Sequence, residues 1–78
     1  MVYCNLKKKN SDSAIYSFGM STDDITGEVI IYKASIQPSI LKQPTKGTAT
    51  HITINRLVVK YKEQFSKGIF PSKISYER

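Results

Sequence analysis

The chain has no tryptophan, one cysteine, one histidine and three prolines, and each of these shortages removes a class of protein. A lone thiol, Cys4, has no internal disulfide partner. No CxxC or Cys/His pair has zinc-ligand spacing, so neither a disulfide framework nor a structural zinc site is expected. A reducing compartment suits such a chain. No window reaches the roughly 18 apolar residues of a membrane span. The opening MVYCNLKKK places its lysines after a very short apolar run, the reverse of a secretory signal. These features predict a soluble, cytoplasmic protein without cofactor or metal.

Acidic residues are also scarce. Six Asp or Glu stand against twelve Lys or Arg, a formal charge of +6. The excess is uneven: residues 51–78 carry six basic and two acidic groups, residues 1–50 six and four. A positive potential draws nucleic acid, anionic lipid or acidic protein without choosing among them. Basic charge also serves solubility alone, and that reading carries the greater weight here.

Seventy-eight residues form a single domain, 1–78, near the size at which one apolar core supplies only ~3–5 kcal/mol of net stability. Leu, Ile, Val and Phe account for 20 residues, enough for a folded chain, and Ile outnumbers Leu ten to three. β-Branched side chains favour pleated surfaces, so a sheet is expected. Ala14 to Met20 alternates bulky and small or polar residues, as a strand with one buried face does. Asp24-Ile25-Thr26-Gly27 has the Asp and Gly of a type I turn. GEVIIYK follows with apolar residues on both faces, which suits a central strand. Ile40 to Gln43 lies between Pro38 and Pro44 and reads as an edge strand. Lys73 to Glu77 alternates again as a last strand. Residues 1–12 are expected to be an edge strand or a frayed arm, because the run KKKNSDS ends the apolar pattern early.

The longest periodic stretch is Thr50 to Lys67. Ile54, Leu57, Val58, Tyr61 and Phe65 share one helical face, and Gly68 and Pro71 terminate the element. Thr48 or Thr50 is the expected N-cap. A helix start as late as Asn55 remains open, because Ile52 and Ile54 alternate with Thr53. The expected fold is α+β: a small antiparallel sheet of three to five strands with one amphipathic helix packed on one face. The return from the helix is expected to lay the last strand parallel to its neighbour, taken to be the strand Ala14 to Met20.

Chemistry is thinly represented. His51 has no carboxylate or thiol near it in sequence, and a general base needs an oriented partner. Asp23, Asp24 and Glu28 form an acidic cluster, but their spacing is not that of an EF-hand loop. QPTKGTATH lacks the GxxxxGK[ST] order of a phosphate-binding loop, leaving Lys46, Thr48 and free helix amides as a weak anion contact at most. Tyr16, Phe18 and Tyr32 invite comparison with base-stacking sheets, yet Tyr16 and Phe18 share their face with Ala14 and Met20, a core pattern. No enzyme is expected.

The outer side of the helix is the better clue. Arg56, Lys60, Glu63 and Lys67 line up opposite the apolar stripe at 100° per residue, with Lys62 to one side. Glu63 lies within a turn of both Lys60 and Lys67 and is a natural ion-pair partner for either. Ile52 and Val59 point about 140–160° from the centre of the apolar stripe, where a monomer's core does not reach. The expectation is a non-catalytic, basic module that binds a protein or self-associates, with Ile52 and Val59 as the interface. The alternative is a nucleic-acid-binding protein using Arg56, Lys60, Lys62 and Lys67 on phosphates, helped by Lys7 to Lys9.

Overall fold

The computed structural model describes residues 2–34, 38–46 and 51–76, without the side chain of His51. The strands are β1 (Val2–Lys9), β2 (Ser13–Gly19), β3 (Gly27–Tyr32), β4 (Ser39–Lys42) and β5 (Lys73–Tyr76), with helices α1 (His51–Lys60) and α2 (Lys62–Ser66) between β4 and β5. The strands form one five-stranded sheet in the order β4-β3-β2-β1-β5, and every neighbouring pair is antiparallel. The fold is therefore mainly β with some helix.

Register follows from the two-residue period. Cys4 lies opposite Phe18 and Leu6 opposite Tyr16, while Tyr16 faces Val29 and Ala14 faces Ile31 across β2 and β3. Val2, Cys4, Ala14, Tyr16, Phe18, Val29, Ile31 and Ile74 are all buried and form one cluster with Ile54, Leu57, Val58, Phe65 and Phe70. A slip of one residue in any strand would turn its apolar set to the other face, so this burial pins the pairing.

Three expectations are corrected. β1 is neither frayed nor at an edge; it lies between β2 and β5. Its lysine run does not end it, because a bulge between Leu6 and Lys8 takes up Lys7, whose ammonium meets the Glu28 carboxylate at 2.9 Å. Lys9 comes to 6.0 Å from the centre of the Phe70 ring. A β-strand tolerates such lysines where each finds a partner or its stem covers apolar surface.

The second correction concerns β5, expected beside the strand Ala14 to Met20 and parallel to its neighbour; it pairs instead with β1 and runs antiparallel to it, Val2 opposite Tyr76 and Cys4 opposite Ile74. The cause is parity. With β1 a full strand, four strands precede the helices instead of three, so β4 runs opposite to β1. The helical connection joins the two edges of the sheet and returns β5 in the direction of β4.

Third, the helix is not continuous. It breaks at Tyr61, whose φ of −105° and ψ of 14° leave the helical range. It begins at His51, so Ile52 is inside it and the later start is excluded. Its end is as expected. Gly68 takes a φ of 77°, its N–H donates to the Phe65 carbonyl at 3.0 Å, and Ile69 N–H donates to the Gln64 carbonyl at 2.9 Å, a Schellman arrangement that needs a left-handed residue at this point. Thr48 and Thr50, the anticipated N-caps, lie outside the described residues.

The β2–β3 loop is fastened to the segment after β4. Asp24, buried, accepts the Lys46 N–H at 2.6 Å and the Thr26 hydroxyl at 2.9 Å. Thr26 Oγ1 in turn accepts the Thr45 N–H at 2.8 Å. The loop lies so close over β2 that a Cβ at Gly19 would collide with the Asp24 carbonyl.

Candidate binding surface

Among the described residues, Cys4, Tyr16, Asp24 and Glu28 are engaged in holding the fold; the side chain of His51 lies outside them. Cys4 is buried in the cluster, and burial pushes its thiol up to about 12, which keeps it protonated and unreactive at neutral pH. Tyr16 is buried too; its hydroxyl donates to the Pro71 carbonyl at 2.7 Å, and burial raises its pKa, with the neighbouring Cys4 adding to the shift. Tyr16 and Phe18 are thus core residues and no stacking platform. Tyr32, expected near them, lies opposite Ser13 and is exposed.

The acidic cluster is likewise dispersed. Asp24 holds the Lys46 amide and the Thr26 hydroxyl, Asp23 accepts from the Ser21 hydroxyl, and Glu28 pairs with Lys7. The Lys7 ammonium, first by its hydrogen bond and then by its charge, holds the Glu28 carboxyl below its ordinary value, and Lys42 adds to this. Among the described residues no group of three or more His, Cys, Asp or Glu side chains comes together to hold a metal ion.

Arg56, Lys60, Lys62 and Lys67 are all exposed, but they do not form one row. Arg56 and Lys60 belong to α1, Lys62 opens α2 beyond the break, and Lys67 caps α2 with its backbone N–H on the Gln64 carbonyl. Lys60 does not turn to Glu63. Its ammonium donates to the Ser75 carbonyl of β5 at 3.0 Å and lies 5.2 Å from the centre of the Tyr61 ring. Tyr61 reaches the same residue: its hydroxyl donates to the Ser75 carbonyl at 3.3 Å and accepts the Ser75 N–H at 3.4 Å. The end of α1 is thereby tied to the outer edge of β5.

Beside this tie lies a groove of about 510 Å³ lined by Ile52, Asn55, Arg56, Val59, Lys60 and Tyr76. Ile52 and Val59 are 66% and 55% exposed, although they belong to the same helix that buries Ile54, Leu57 and Val58 almost completely. Two turns of helix separate them, about 10 Å along the axis. The half-buried Tyr76 continues the apolar floor from β5. Arg56 and Lys60 supply cations, and α1, HITINRLVVK, contains no carboxylate.

The expected interface residues and two of the four expected phosphate ligands therefore meet at one place. Sequence reasoning missed Tyr76 and the Lys60–Ser75 and Tyr61–Ser75 contacts, which span fifteen and fourteen positions and depend on where β5 docks. Only the alternation of Ile74 and Tyr76 hinted that Tyr76 faces the helix side. Compared with protein-family models, with curated proteins and with solved structures, the chain matches none of them.

Proposed function

We propose that this protein is a small non-catalytic module that binds a macromolecular partner, or a second copy of itself, through the exposed side of α1. We infer that α1 lies across one face of the sheet, because Ile54, Leu57 and Val58 share a cluster with the alternate residues of the strands. That arrangement turns Ile52 and Val59 to solvent. The observation that carries the reading is the pair itself: two large aliphatic side chains, exposed, on one groove floor. Isolated exposed apolar residues need no explanation, but apolar residues grouped in a shallow, open depression with polar groups beside them suit a contact surface. The engagement of Cys4, Tyr16, Asp24 and Glu28 in packing and pairing supports a non-catalytic role, and the lone buried thiol suits a reducing compartment.

The test is a pair of measurements on Ile52→Ser and Val59→Ser. A residue kept for a contact is free of structural duty, so both variants are expected to keep the melting temperature or raise it. Sedimentation of the wild-type chain at high concentration then reports self-association, with Val59→Asp as the disrupting control. If either serine variant loses more than about 1 kcal/mol of stability, the side chain belongs to the core and the surface reading fails.

A second reading, contact with nucleic acid, is favoured by the net charge and by the exposure of Arg56, Lys60, Lys62 and Lys67. It requires affinity for DNA or RNA that falls steeply as salt rises. Binding that is undetectable at low salt removes it.

A further inference from the structure

We propose that the groove between α1 and β5 receives a short acidic segment of another protein, which lays apolar side chains on Ile52, Val59 and Tyr76 and its carboxylates against Arg56 and Lys60. The inference rests on the reading of this face as a contact surface and names what covers it.

Charge complementarity selects the occupant. The groove has an apolar floor and two cations, its helix contributes no carboxylate, and the whole chain carries +6. A second copy is the wrong occupant. Two-fold pairing that seats Ile52 of one chain on Val59 of the other puts the axis beside Asn55 and Arg56. The two Arg56 guanidiniums then face each other between two chains of like net charge. A nucleic acid is also a poor fit. Its phosphates would engage Arg56 and Lys60, yet Ile52 and Val59 offer nothing to a charged backbone, and among the described residues Tyr76 is the one ring in the groove on which a base could stack.

An acidic segment with apolar anchors uses both kinds of side chain. Lys60 is already positioned for it. The Ser75 carbonyl takes one of its N–H groups at 3.0 Å and the Tyr61 ring flanks it at 5.2 Å, so its ammonium is held at the groove with two donors left for a carboxylate. Holding a long side chain in place beforehand reduces the entropy lost on binding.

The experiment is selection of a random peptide library on the immobilised full chain, followed by fluorescence-anisotropy titration of the selected peptides. Wild type is compared with Ile52→Ser, Val59→Ser and Arg56→Glu, with melting curves on all four. The expected result is peptides rich in Asp or Glu together with Leu, Ile or Phe. Their affinity should fall about tenfold or more in the Arg56→Glu and Val59→Ser variants, all of which melt as the wild type does. Replacing the peptide carboxylates by amides should weaken binding in wild type and not in Arg56→Glu. Failure to recover any peptide, peptides without an excess of carboxylates, or affinity indifferent to Arg56→Glu would overturn the acidic occupant. So would a dimer of the wild-type chain that Val59→Ser dissolves, although the contact-surface reading would then stand. Serine variants that unfold would remove both.

Discussion

At one edge of the sheet, β4 is four residues long, follows Pro38 directly, stops two residues before Pro44, and is bulged where Leu41 falls between the pairs Val29–Ile40 and Glu28–Lys42. At the other edge, β5 is equally short and has Pro71 two residues before it, but no proline adjoins it and it pairs with β1 without a bulge. An unguarded edge strand offers its free N–H and C=O groups to any extended chain. The β4 edge is blunted by its own residues: proline at the margin, a bulge, and Lys42. The β5 edge is blunted from outside, where Tyr61 meets both backbone groups of Ser75 and Lys60 meets its carbonyl. The comparison teaches that one molecule can solve the same problem locally at one place and by tertiary contact at another. The tertiary solution also gathers Lys60 and Tyr76 beside α1, so the guarded edge and the candidate binding groove are parts of one arrangement.

The largest effect is expected where both edges depend on the same core. Leu57→Ala removes a fully buried side chain from the helical connection between β4 and β5 and should cost about 2–5 kcal/mol, a large share of the stability of so small a domain. Urea denaturation measures it, and amide exchange should accelerate at both edges. A loss under about 1 kcal/mol would mean that α1 is not anchored as the cluster implies.

Next comes a change that should separate the edges. Asp24→Ala leaves the Lys46 N–H and the Thr26 hydroxyl without their acceptor, an expected cost of about 1–3 kcal/mol, and the local consequence should be confined to the end of β4. Faster exchange at Ser39–Lys42 with β5 unchanged is the predicted pattern. Equal acceleration at Lys73–Tyr76 would show that the two edges are not independent.

Tyr61→Phe is the converse experiment. It removes the hydroxyl that meets Ser75, and because those two hydrogen bonds are 3.3 and 3.4 Å long the loss should be near the low end of about 0.5–1.5 kcal/mol. The Ser75 amide should exchange faster while β4 keeps its protection. An unaltered Ser75 amide would sink the idea that Tyr61 guards this edge.

The smallest effect concerns pH. The Glu28 carboxyl is held below its ordinary value of 4.5 by Lys7. Its contribution is therefore complete above the pKa of the unfolded chain and is lost as pH falls through the lower, folded value. Because the pair is exposed, the change is minor; it should appear as a slight fall in melting temperature on acidification that Glu28→Gln abolishes.

Legibility in the sequence followed locality. The alternation in Ala14 to Met20, the prolines around β4, the helical period of Ile54, Leu57, Val58 and Phe65, and the Gly68 stop are patterns within a few residues, and each corresponds to an observed element. The exposure of Ile52 and Val59 was legible for the same reason, since their angle on the helix follows from position alone. β1 was misjudged because the run Lys7 to Lys9 looks like the end of a strand until the bulge, Glu28 and Phe70 are in place. That single error left out the strand that lies between Ser13–Gly19 and β5, and so named the wrong neighbour for β5.

By itself, then, the sequence determined which residues are apolar, how they repeat, where the chain must turn, and that positive charge prevails on α1. Only the tertiary structure decided that β1 is interior, that β5 runs against it, that the helix breaks at Tyr61, and that Tyr76, Arg56 and Lys60 border a common groove with Ile52 and Val59. The physical reason is that periodicity and turn chemistry act over a few bonds, whereas strand partners, edges and grooves are set by which surfaces exclude water together across the whole chain.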